Sequence, residues 1–171
     1  MTEISIVGDQ DLVNINRVPI STTKLVLNNN NNLRDLSALS RLYQLQHLEI
    51  ADCPQLADFE VFSKACFDSL TYLDVSGNDF GLLHQQLGSF DLSLQKQLDT
   101  VWICDRNLEA TKIQLPPNVK KLGILGCRIR YLAALDCCKH VRELLVSNNL
   151  IASIDAVSQC TDLVKLIVPD N

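Results

Sequence analysis

Leu70-Thr-Tyr-Leu-Asp-Val-Ser-Gly-Asn78-Asp-Phe80 and Val141-Arg-Glu-Leu-Leu-Val-Ser-Asn-Asn149-Leu-Ile151 are two copies of one pattern, and it runs through the whole chain. Its centre is a pair of apolar residues separated by one spacer. The pair recurs as Ile4/Ile6, Leu25/Leu27, Leu48/Ile50, Leu73/Val75, Val101/Ile103, Leu122/Ile124, Leu144/Val146 and Leu166/Val168, in steps of 21, 23, 25, 28, 21, 22 and 22 residues. From the third copy onward an apolar residue stands three positions before the pair, at Leu45, Leu70, Leu98, Val119, Val141 and Leu163. Three positions after it come Asp9, Asn30, Cys53, Asn78, Arg106, Cys127, Asn149 and Asn171. Apolar alternation of this kind makes a short strand with one buried face. A unit of about 22 residues cannot bury that face alone, so neighbouring copies must stack and share a core.

Written out, the pattern is L-x-x-L-x-L-x-x-N-x-L, and it resembles the leucine-rich-repeat family. The short repeats, with Ile or Leu after the asparagine, are similar to the class found in type-1 phosphatase regulatory subunits and bacterial internalins. The resemblance implies an α/β fold: a right-handed leucine-rich-repeat solenoid with about eight short parallel strands on its concave face. Loops, 3₁₀ turns and a few short helices would form the convex side. A single domain spanning residues 1–171 is expected, continuing past Asn171, because solenoids need polar end caps and neither end carries one.

The turn after each strand leaves backbone groups inside the protein. An asparagine amide can satisfy both a donor and an acceptor there. Cysteine fits the same small niche with weaker bonding, which accommodates Cys53 and Cys127. Arg106 does not fit, so its turn is expected to open or its side chain to lead outward. In the 28-residue step, Gly81 to Gln97 carries Leu82, Leu83, Leu87, Phe90 and Leu94 at partly helical spacing, and a convex helix broken near Gly88 is expected. Leu115-Pro116-Pro117-Asn118 forces an extended approach to the next strand. Asn30, within the run Asn28 to Asn32, falls on the motif position, and the run contains no N-x-S/T acceptor.

Composition narrows the function. The 171 residues are 47% hydrophobic and carry 15 Lys+Arg against 20 Asp+Glu, a net charge of −5. That balance, without a basic stripe, disfavours nucleic-acid and anionic-membrane binding. The N-terminus lacks the basic start and apolar stretch of a secretion signal. An intracellular location, cytoplasmic with the nucleus also open, is expected. No P-loop, zinc-protease helix, nucleophile elbow or dinucleotide fingerprint occurs, and His47, His84 and His140 are scattered. Catalysis and a cofactor are therefore not expected. Cys137, Cys138, His140 and Cys160 could suggest a metal. The reading preferred here is that Cys138 and Cys160, 22 residues apart, stack as convex-side core and bind none.

Residues beside and between the core pairs project from the sheet towards solvent. The row between them reads Ser5, Val26, Glu49, Asp74, Trp102, Gly123, Leu145 and Ile167. The row before reads Glu3, Lys24, His47, Tyr72, Thr100, Lys121, Glu143 and Lys165. The row after includes Ala51, Ser76, Cys104 and Leu125. Trp102, Leu125, Leu145 and Ile167 are expected to form one apolar patch, with a hollow at Gly123. Glu49, Asp52, Asp74 and Asp105 make an acidic zone edged by Tyr72 and His47. A clustered apolar patch with an aromatic anchor and a charged rim fits an interaction site. The leading expectation is a non-catalytic scaffold or adaptor that binds a protein through its concave face, with no nucleic-acid or membrane partner. One alternative is an assembly module whose uncapped ends pair with another copy, giving a homo-oligomer, or with a larger chain. A weaker one is a bacterial effector-type repeat protein.

Seven cysteines without C-x-x-C spacing fit a reducing compartment. Thiol titration of the denatured, unreduced chain is expected to count seven. A count of five, with Cys138 and Cys160 protected, contradicts this.

Overall fold

The computed structural model describes residues 2–56, 58–78, 89–104, 108, 112–132, 135–136 and 138–171. Eight of its strands form one parallel sheet. They are β1 (Thr2–Ser5), β2 (Thr22–Val26), β3 (His47–Glu49), β4 (Tyr72–Asp74), β6 (Thr100–Cys104), β8 (Lys121–Leu125), β9 (Glu143–Leu145) and β10 (Lys165–Ile167). They lie in chain order, each beside the next. Leu25 pairs with Leu48, Leu48 with Leu73, Leu73 with Val101, Val101 with Leu122, Leu122 with Leu144 and Leu144 with Leu166. The repeat alignment is thus the strand register. This is the architecture of a leucine-rich-repeat solenoid.

Behind the sheet the remaining motif leucines pack into one core. Leu27, Leu33, Leu45, Leu56, Leu70, Leu98, Val119 and Val141 are all buried. Among the described residues the return segments carry 3₁₀ turns at Ser37–Arg41 and Asp155–Gln159, and a short helix, α1 (Val61–Lys64).

The motif asparagines tie each turn of the solenoid to the one before. The Asn78 amide donates to the Ile50 carbonyl of the preceding repeat (2.6 Å) and accepts from the Cys53 backbone N–H (3.0 Å). Asn30 makes the same pair with Ile6 (2.8 Å) and Asp9 (2.9 Å). Asn149 makes it with Ile124 (2.8 Å) and Cys127 (3.0 Å). At the cysteine positions the thiol takes over the donor role. Cys53 donates to Leu27 (3.0 Å), and the Cys127 thiol lies between the Ile103 carbonyl of the preceding repeat (3.5 Å) and the Leu125 carbonyl of its own (3.2 Å). Among the described residues the carbonyl of the second core residue is met in this way at Ile6, Leu27, Ile50, Ile103 and Ile124. Burial pushes the Cys53 thiol above its usual range, so it stays protonated and able to donate. Arg106 and its turn lie outside the described residues.

One further row was not singled out in the sequence. The residue just before each motif position has positive φ wherever it is described: Gly8, Asn29, Asp52, Gly77, Gly126, Asn148 and Asp170, between 54° and 71°. Only glycine, asparagine and aspartate occupy it, the residues that enter the left-handed region at least cost. Here the chain reverses off the strand.

The 28-residue step corrects an expectation. Residues 81–88 of the expected helix lie outside the described residues, and its second half is a short strand followed by turns. Ser89–Asp91 is strand β5, pairing in parallel with β7 (Lys112–Gln114) in a second, two-stranded sheet. Phe90 and Leu92 are buried, so period-two burial prevails over the helical spacing. Phe90 meets Phe59 and Phe62 edge-on, with ring centroids 5.6 and 6.0 Å away, and Phe67 closes the cluster 5.8 Å from Phe62. The buried Gln95 stitches this region together. Its amide donates to the Phe62 (2.6 Å) and Ala65 (2.8 Å) carbonyls and accepts from the Phe67 N–H (3.0 Å).

Asn149→Ala strands a buried carbonyl and N–H, and is expected to cost about 1–3 kcal/mol in urea unfolding. Its neighbour Asn148→Gly is expected to cost nothing or to stabilise slightly, since glycine enters the left-handed region freely. Equal losses at the two positions contradict this division of roles.

Candidate functional site

The alternation that buries the core pairs sends the spacer residues to the opposite, open face of the sheet. Glu49, Asp74, Trp102, Gly123, Leu145 and Ile167 form one continuous row across β3, β4, β6, β8, β9 and β10. His47, Tyr72, Thr100, Lys121 and Glu143 form the row beside it. Leu125 stands next to Cys104 in the third row. All eight residues singled out from the sequence therefore lie on this face. His47, Glu49, Tyr72, Asp74, Trp102, Leu125, Leu145 and Ile167 are each half-buried.

Trp102 corrects a detail. No hollow remains at Gly123, because the indole fills it. A Cβ at Gly123 would come within 2.1 Å of the Trp102 Cε3 atom. The glycine serves here by having no side chain, and it lets the ring lie down on the next strand. The Lys121 ammonium stands 5.5 Å from the ring centroid and 3.3 Å from the Glu143 carboxylate. A cation over an indole face is attracted to the ring's negative quadrupole. The result is a ring packed by its neighbours yet still half open to solvent, with Leu145 one strand further along the row and Leu125 in the row beside it.

On the other side of Trp102 the face turns acidic. The His47 and Tyr72 rings stack at 4.1 Å and 4°, a cross-strand pair between β3 and β4. His47 Nε2 lies 2.6 Å from Glu49 Oε1. Burial, and then the carboxylates of Asp74 and Glu49, hold the Tyr72 phenol above its usual range, so it stays neutral. The Asp74 carboxylate accepts from the Ser76 N–H (2.9 Å). Asp52 lies over Gly77, where a Cβ would meet its carboxylate oxygen at 2.1 Å. Among the described residues, neither Asp52 nor Asp74 is ion-paired with a lysine or arginine. Asp105, the fourth member of the expected acidic zone, lies outside the described residues.

Away from this face, Cys138 and Cys160 are buried, with the Cys160 thiol 3.6 Å from the Cys138 carbonyl. His140 turns to Asp162 at the surface (2.9 Å), away from that core. Cys137 lies outside the described residues.

No protein-family model and no curated protein matches the sequence. Among solved structures the chain is similar to internalin C2 of Listeria monocytogenes, at 18% identity and a TM-score of 0.48 over 78% of this chain. It is also similar to internalin F of that organism, at 15% identity and a TM-score of 0.47 over the full chain. It spans 65% and 61% of those two chains.

Gly123→Ala forces the indole off its seat. The variant is expected to lose the tryptophan near-ultraviolet circular dichroism while its far-ultraviolet spectrum is kept. An unchanged near-ultraviolet band means that the ring does not rest on Gly123.

Proposed function

We propose that this chain is a non-catalytic recognition module that binds a protein partner through the open face of its sheet, and that it works inside the cell. One observation carries the reading. The only tryptophan and three aliphatic side chains gather on the solvent side of the strands, where none of them is needed to close the core. Isolated apolar residues on a surface are ordinary, but a cluster anchored by an aromatic ring and edged by charge is the composition of a binding hot spot. The packing of the ring against Gly123 adds support. A side chain already held in place loses little freedom when a partner covers it.

Affinity capture with the natural chain, Trp102→Ala and Glu3→Ala tests this. The partner recovered with the natural chain is expected to bind Trp102→Ala more weakly by about 2 kcal/mol or more, as for a central aromatic hot spot. Glu3→Ala, on the far strand, is expected to bind normally, and the unfolding midpoint of Trp102→Ala is expected to stay close to that of the natural chain. Undiminished binding by Trp102→Ala overturns the reading.

A further inference from the structure

The two halves of the open face differ in chemistry, and the distance between them matches the repeat of an extended peptide. Glu49 and Asp74 stand side by side on β3 and β4, and the neutral Tyr72 ring rises next to them. Trp102 follows on the adjacent strand, and Leu145 lies two strands beyond it, past Gly123. At about 4.8 Å per strand, Asp74 and Leu145 are three spacings, or about 14 Å, apart. An extended chain advances about 3.3 Å per residue and turns every second side chain to the same side, so residues i and i+4 stand about 13 Å apart on one side.

We propose that the face takes an extended peptide segment laid across the strands, with a lysine or arginine at one position and bulky apolar side chains two and four residues away. This rests on the reading of the open face as a recognition surface and specifies its ligand. The cationic group sits against the Asp74 carboxylate, with Glu49, held by His47 and Asn28, adding negative charge alongside and the Tyr72 face turned away from His47 left for cation–π contact. The two apolar side chains cover Trp102 and Leu145. Charge complementarity selects this occupant. Asp74 has no lysine or arginine of its own among the described residues, whereas Lys121, beside Trp102, is already engaged by Glu143 and the indole. An acidic segment would meet repulsion at Asp74, whose carboxylate has no lysine or arginine partner among the described residues.

Selection from a displayed library of random 12-residue peptides on the whole chain tests this. Enriched peptides are expected to carry Lys or Arg with apolar residues two and four positions away, in either chain direction. They are expected to bind Glu49→Gln/Asp74→Asn at least tenfold more weakly at low salt, and to be lost on Leu145→Asp. If Leu145→Asp does not fold by far-ultraviolet circular dichroism, Trp102→Ala takes its place. Peptides that depend on Leu145 but carry no cation, or are indifferent to the double substitution, overturn the proposed chemistry and leave the open face as the recognition surface. Peptides indifferent to Leu145→Asp and Trp102→Ala, or no enrichment at all, overturn both.

Discussion

A hydrogen bond to the carbonyl of the second core residue, recurring from repeat to repeat among the described residues, underlies the rest of the structure. Ile6, Leu27, Ile50, Ile103 and Ile124 each offer that carbonyl inwards at the end of a strand, and a side chain from the next repeat meets it. A buried carbonyl without a partner is costly, so consecutive repeats are held at one register rather than merely pressed together. Asparagine does this best because the same amide also accepts a backbone N–H from the preceding repeat. Cysteine supplies the donor alone, and at Cys53 burial raises the thiol's pKa and so favours the donating form.

Register is also what builds the open face. A slip of one residue would exchange the two faces of a strand, sending Trp102 inward and Val101 or Ile103 outward. Locked strands bring side chains more than twenty residues apart in sequence into straight rows: His47 stacks on Tyr72, and Trp102 lies on Gly123. The proposed ligand follows from the same geometry. Strand spacing sets where carboxylate and apolar groups fall, and an extended peptide happens to share the period.

Much of this could be read in advance because the repeat repeats. Eight copies of an apolar pair defined eight strands and their register, and every spacer residue fell on the face that alternation assigned to it. The asparagine niche was legible too, since few side chains both donate and accept in so small a space. What escaped the sequence depended on contacts between distant segments. Phe90 looks as helical as it looks extended until Phe59, Phe62 and β7 are beside it. Gln95 gives no local sign that it will satisfy the backbone around α1. Gly123 was read as a gap because nothing in its own repeat says that the preceding strand's indole will lie across it. The left-handed row was visible all along: Gly8, Asn29, Asp52, Gly77, Gly126, Asn148 and Asp170 are each glycine, asparagine or aspartate. It was hidden only by standing next to the more familiar asparagine.

The central claim is that the strand-end hydrogen bonds hold a register that turns the single tryptophan outward, packed but accessible. Iodide quenching of its fluorescence in the isolated chain measures this most directly, without knowledge of any partner. Partial quenching is expected, intermediate between free and buried indole, reaching the free value after unfolding in urea. Emission that is blue-shifted and indifferent to iodide in the folded chain would show Trp102 inside the core and contradict the register, the open face and the site together.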